Sequence, residues 1–226
     1  MSKQHALDKN REIRLDFAAG LPMGIRAGEA GKPATLFGYA AVFNVRSKPI
    51  WGQFIEIIRP GAFRASLERG DDVVCVVEHS GGLQLLGRRS AKTLDVYEDE
   101  KGLRYECQVP DTSAGKDISV LVGRGDIRSS SFAFRARKDE WAWASAKGEL
   151  DVRTVIEADL FDVSPVVNPA YTEATVGVRS LDAYAEAKAT RDQAIAREAD
   201  TRFRLRIAEI TMSPAERQLA AAGSKS

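Results

Sequence analysis

From Leu36 to Val167 the chain is cut into short runs rich in β-branched and aromatic residues, each bounded by turn chemistry. That rhythm points to a sheet-based body. "LFGYAAVFN" and "WGQFIEII" read as strands separated by the polar "VRSKP", and "RPGAFRASLERG" as a turn entering a short helix that Gly70 stops. "DVVCVVEHS" is a nearly unbroken apolar run, expected to be a strand buried on both faces that ends at Glu78 and His79. "TLDVYEDEKGLRYECQVP" predicts a hairpin closed by Gly102. "DTSAGKDISVLVGRGD" predicts a helix beginning at Thr112 or Ser113, ended by Gly123 and Gly125, and leading straight into a strand, "IRSSSFAFRA". After the Trp-bearing "DEWAWASAKGEL", a strand pair is expected over "DVRTVIEADLFDVSPVV", closed by Pro165 and Pro169.

The ends differ from this body. Residues 1–35 are polar and broken by Gly20, Pro22, Gly24, Gly28 and Gly31, which predicts a mobile or partly paired leader with order beginning near Leu36. From Ser180 the composition turns to Ala, Glu, Asp, Arg and Lys with no glycine until Gly223, so 180–226 is expected as a helical or disordered tail. A length of 226 residues suffices for one full core plus such extensions.

Net charge is +1, which gives no global attraction to nucleic acid or to an anionic membrane. No apolar run approaches the roughly 18 residues needed to span a bilayer, and the charged start lacks a signal-peptide centre. A soluble, cytosolic protein is expected. Cys75 and Cys107 have no CxxC spacing and are expected to pack as small apolar residues; no cofactor or metal is expected.

The chemistry-bearing candidates begin with "SSSFAF". Side chains alternate along a strand, so Phe132 and Phe134 share one face and Ser129, Ser131 and Ala133 the other. Ser131 then points away from the phenylalanine anchors beside a small neighbour, whereas Ser130 shares their face. Ser131 is the candidate nucleophile, against the plain alternative of an ordinary strand serine. Serine needs a neighbouring base, and His79 is the one histidine of the body, though it also reads as a satisfied structural histidine. Counting by twos through "IEADLFDVSPVV" puts Asp162 on the face of Ile156, Ala158 and Leu160. A carboxylate on an apolar face needs a partner, either a catalytic imidazole or an arginine.

The order "GYAAVFN", "EIIRPGAF", His79, "LLGRR", "GDIRSSSFAF", "LFDVSPVVNPAY" resembles the prohead maturation proteases of tailed bacteriophages, relatives of the herpesvirus assembly proteases, over about residues 36–178. The resemblance implies an α+β fold: a mostly antiparallel, herpesvirus-protease-like β-barrel with a few surrounding helices, here followed by the helical tail. It implies a serine endopeptidase occupying 36–179, with His79 as general base, Ser131 as nucleophile and Asp162 as the acidic third member. The family commonly has aspartate after the histidine, glycine within the serine motif, and often glutamate at the acidic position. This chain has Ser80, Ala133 and Asp162. Backbone amides are the expected oxyanion donors; Arg88 and Arg89 of "LLGRR" lie nearby in motif order, but they read at least as well as surface arginines and stand outside the catalytic set.

The partners implied are the major capsid protein with its scaffolding region, or a separate scaffold protein, and the protease itself. Cleavage would take place inside the prohead in the host cytoplasm, with neither nucleic acid nor membrane as a partner. Two other readings stand beside this one. One is a noncatalytic capsid-assembly or scaffold protein on the same fold. The other is a hydrolase of small esters, disfavoured in its commonest form by the lack of a GxSxG elbow.

Overall fold

A computed structural model of the chain describes residues 11–15, 23–28, 33–80, 84–146, 148–167 and 177–211. The first of two compact units, Met1–Leu181, contains two sheets. Its longest strands are β9 (Ser129–Ala142) and β10 (Asp151–Val166), which run antiparallel along most of their length. On the other edge of β10, β4 (Phe54–Ile58) pairs in parallel along Asp151–Val155, and β5 (Val74–Val76) pairs in parallel at Asp162 and Val163. The strand β6 (Leu85–Arg88) continues past β5, and β1 (Glu12–Leu15) closes the opposite edge by pairing antiparallel with β9. The second sheet is antiparallel throughout, in the order β2 (Gly24–Arg26), β3 (Thr35–Val42), β8 (Gly102–Gln108), β7 (Leu94–Glu98).

The α+β class stands, and most pairings are antiparallel. Among the described residues, however, the ladders form two sheets rather than one closed ring, and the centre of the larger sheet is mixed. Two strands, β1 and β2, lie within the stretch read as leader. The expected strand pair over 151–166 is a single strand. Pro165 lies inside it, beyond the last β5 pairing at Val163, and so interrupts no ladder on that edge. Pro169 lies outside the described residues. Of the Trp-bearing stretch, β9 takes in Asp139–Ala142, including Trp141.

A core of Leu36, Ile58, Phe63, Leu103, Phe132 and Phe134, among others, is buried between these elements. The helix α1 (Arg64–Arg69) ends at Gly70, whose φ of 80° completes the left-handed cap expected from the sequence. Helix α2 (Ser113–Arg124) starts at Thr112, whose hydroxyl accepts from the Gly115 amide at 3.2 Å, and buries Gly115, Ile118 and Val122 at helical spacing. Cys75 and Cys107 are free, fully buried core residues. A hydrogen bond with Cys107, reinforced by burial, pushes the Cys75 thiol well above its ordinary range.

The second unit, Asp182–Ser226, contains most of α3 (Gly177–Thr211). The helix carries i,i+4 ion pairs, Glu198 with Arg202 at 2.6 Å and Asp200 with Arg204 at 2.9 Å, and exposes Phe203, Leu205 and Ile210. No helix among the described residues is long and apolar enough to cross a membrane.

Candidate active site

Strand alternation positions Ser131. Phe132 and Phe134 sit in the core with ring centroids 5.2 Å apart, and Phe63 packs edge-on against Phe132 at 5.6 Å. These anchors turn Ser131 to the opposite face, where its cross-strand neighbour is Ser164. Ser130 faces the core side instead. Its hydroxyl lies 2.7 Å from the Tyr105 hydroxyl, and burial pushes that phenol well above its usual range.

Asp162 reaches the same face as Ser131 through a bulge. Leu160 pairs with Phe134 and Asp162 with Ala133, so Phe161 is the extra residue between them. The simple alternation that put Asp162 on the face of Leu160 therefore does not hold. The bulge returns Val163 to the core and leaves Asp162 and Ser164 beside Ser131.

His79 arrives by a different departure from regularity. The expected long buried strand stops at Val76, and Val77–His79 form a single tight turn in which Glu78 and His79 have φ of 52° and 53°. Left-handed backbone at two successive non-glycine residues costs roughly 1–3 kcal/mol each and persists only where the surroundings enforce it. Here the Glu78 carboxylate accepts from the Val167 amide at 2.5 Å, and the His79 amide donates to Ser164 Oγ at 3.3 Å. The turn is tied at both residues to the end of β10.

The three side chains then meet. His79 Nε2 lies 2.5 Å from Ser131 Oγ, and His79 Nδ1 lies 2.7 Å from Asp162 Oδ1. Ser164 Oγ braces the far side of the ring, donating to Asp162 Oδ1 at 3.1 Å and lying 3.2 Å from His79 Nδ1. With Nδ1–H held toward the carboxylate, Nε2 carries the lone pair and faces the serine hydroxyl, the tautomer that a general base requires. The shorter aspartate reaches the imidazole without difficulty.

Arg88 and Arg89 are engaged elsewhere. Arg88 pairs with Asp72 at 3.4 Å, and Arg89 donates to the carbonyls of Asp71 and Leu67.

Several residues of the site were not singled out in the sequence. Strand β1 lies along β9 with Leu15 opposite Ser131, and Ser131 Oγ also donates to the Arg14 carbonyl at 2.7 Å. Arg11 forms an ion pair with the second oxygen of Asp162. Arg14 is buried, with Nε 2.5 Å from Glu56 Oε1 and Nη2 2.7 Å from both Glu56 Oε2 and Glu12 Oε2. Arg153 completes the cluster, bonding Glu12 Oε2 at 2.6 Å, Glu56 Oε2 at 3.1 Å and Asp139 Oδ2 at 2.6 Å. Burial alone would raise the Glu12 carboxyl, but Arg14 and Arg153 outweigh it and hold the pKa at about 2. The one sequence signal for this arrangement is the alternation of charged and apolar residues in Glu12-Ile13-Arg14-Leu15.

A family model described as caudovirus prohead serine protease matches residues 22–188. The chain belongs to this family. A search of curated proteins finds no match. Among solved structures, the capsid assembly protease of bacteriophage T4 is similar at 11% identity and a TM-score of 0.48, over 71% of this chain and 98% of that one. The residues matched to the prohead serine protease family include His79, Ser131 and Asp162, and they begin after β1.

Proposed function

We propose that this prohead protease family member is an active serine endopeptidase that cuts the scaffolding region of the major capsid protein, or a separate scaffold, and itself. The observation that carries this reading is the continuous hydrogen-bonded path from Ser131 through His79 to Asp162. His79 Nε2 takes the hydroxyl proton as Ser131 Oγ attacks a peptide carbonyl carbon. Asp162 stabilises the imidazolium, which returns its proton to the leaving amine. Water, deprotonated in turn by His79, then releases the acyl group from Ser131.

In this reading residues 36–179 form the protease domain, and 180–226 form a tail that docks on scaffold or capsid through a helix face that includes Phe203, Ile207 and Ile210. The enzyme works inside the immature capsid in the host cytoplasm and needs no cofactor. Confinement there raises the effective concentration of substrate, so a modest catalyst suffices. A noncatalytic assembly role has no comparable support, because it gives no reason for a strained turn to hold His79 against Ser131.

The test is co-expression of wild type, Ser131→Ala and Ser130→Ala with the capsid protein encoded beside it, followed by intact mass of every chain. Trimming by wild type and Ser130→Ala but not by Ser131→Ala is the expected result. Uncut chains in assembled particles from all three would sink the proteolytic reading in favour of the assembly role.

A further inference from the structure

Resting on the proteolytic reading of Ser131, we infer that β1 is a resident substrate: the enzyme cuts after arginine in Glu-x-Arg segments, and its own first cut is the Arg14–Leu15 bond.

Three observations converge on this. First, β1 adds to the open edge of β9 as an extended peptide would, with Leu15 in register with Ser131 and the Arg14 carbonyl hydrogen-bonded by the Ser131 hydroxyl. Second, the Arg14 side chain fills a built pocket. Glu56, itself fully buried, grips the guanidinium at two points, and the Phe134 ring lies 5.2 Å from its centre. Third, Glu12, two residues earlier and so on the same face of the strand, meets Arg153.

The charges left behind define the substrate class. Were β1 to leave, Arg153 would keep both Asp139 and Glu56, so two carboxylates would face one guanidinium. The arginine of an incoming Glu-x-Arg segment takes up the Glu56 carboxylate that Arg14 held at two points, and its glutamate returns to Arg153. Lysine would reach Glu56 without the two-point geometry. Glu12-Ile13-Arg14 is the only Glu-x-Arg triplet in the 226 residues, so the rule allows one self-cut.

Chemically, Ser131 Oγ bonds to the Arg14 carbonyl carbon as His79 accepts the hydroxyl proton. The Arg14–Leu15 C–N bond breaks, and His79 protonates the Leu15 amine. Water then splits the ester, leaving a carboxyl on Arg14 and a free Ser131. Until that cut, the strand blocks the cleft. The one hydroxyl proton is shared between His79 and the Arg14 carbonyl, and Arg11 shares Asp162 with His79. The residues matched to the family begin after this bond, so the cut leaves them whole.

The test uses the full chain co-expressed with the capsid protein, as wild type, Ser131→Ala, Arg14→Ala and Arg14→Lys, read by intact mass and terminal sequencing. Wild type should lose residues 1–14 and begin at Leu15, Arg14→Lys should be cut more slowly, and the other two should keep residues 1–14. With purified processed enzyme, a Glu-Ile-Arg-Leu reporter peptide should beat Glu-Ile-Ala-Leu by about 100-fold or more in kcat/KM. Glu56→Gln should shrink that ratio, and the wild-type ratio tests the pocket even if this variant fails to fold. Ser131-dependent trimming of the chain or capsid protein after residues other than arginine would overturn this specificity while leaving the protease reading intact. No trimming of any chain would overturn both.

Discussion

Asp162 stands opposite Ala133, not Phe132, across the β9–β10 ladder, because Phe161 is bulged out of register. That one extra residue moves the carboxylate from the core face to the face of Ser131, where it meets His79 Nδ1 at 2.7 Å. Replacing Asp162 by Asn keeps the shape but offers an amide that stabilises the wrong imidazole tautomer. In a comparable triad such a change lowers kcat by about 10⁴. The same order of loss is expected in kcat here, with KM little changed. Equal turnover of wild type and Asp162→Asn on one peptide substrate would remove Asp162 from the mechanism.

Ser130 and Ser131 are adjacent yet should fail in different assays. Ser131→Ala should abolish peptide turnover while leaving the fold intact. Ser130→Ala should retain turnover but strand the buried Tyr105 hydroxyl, at a cost of about 1–3 kcal/mol. Urea unfolding of the two variants beside their activities gives the comparison. A Ser130→Ala protein as stable as wild type would mean that the Tyr105 contact adds little.

What was readable in the sequence follows from where the backbone is regular. In "SSSFAF" no bulge intervenes, so counting by twos placed Phe132 and Phe134 in the core and Ser131 opposite them. The glycine stops at Gly70 and Gly125 were equally plain, because left-handed caps favour that residue. Around Asp162 the same counting failed, since the β9–β10 ladder shifts register at three points and local composition does not announce a bulge. The turn at His79 was hidden for a related reason. An apolar run ending in Glu and His gives no sign that two of its residues will adopt positive φ. Strand β1 was hidden most completely. Its charged residues look solvated until Glu56 and Arg153, far away in sequence, close around them.

Arg153 should be among the most costly residues to remove. It is 2% exposed and joins Glu12, Glu56 and Asp139, and these neighbouring carboxylates outweigh its burial to raise its pKa further. Truncating one member of a buried ion network leaves its partners charged and unpaired, which typically costs 3–5 kcal/mol or thereabouts. In the Ser131→Ala background, which keeps residues 1–14 attached, Arg153→Ala should therefore lower the urea midpoint by an amount corresponding to roughly that loss. A midpoint unchanged from the Ser131→Ala parent would mean that water or the remaining Arg14 replaces its role.

The docking of β1 should depend on pH with a definite sign. Glu12 has its pKa lowered from 4.5 to about 2 in the folded chain, because Arg14 and Arg153 prevail over the opposing effect of burial. A depressed carboxylate pKa gives stabilisation that is fully present above the unfolded value and lost as pH falls through the folded one. Docking should accordingly be constant above about pH 5, weaken below 4.5, and lose this contribution near pH 2. Hydrogen exchange of the residue 12–15 amides, corrected for intrinsic rates, should report it in a Ser131→Ala background that keeps the chain whole. Protection should fall across that window, and Glu12→Gln should flatten the dependence. A pH profile unchanged by Glu12→Gln would assign the effect to other groups and leave Glu12 outside the energetics of the strand.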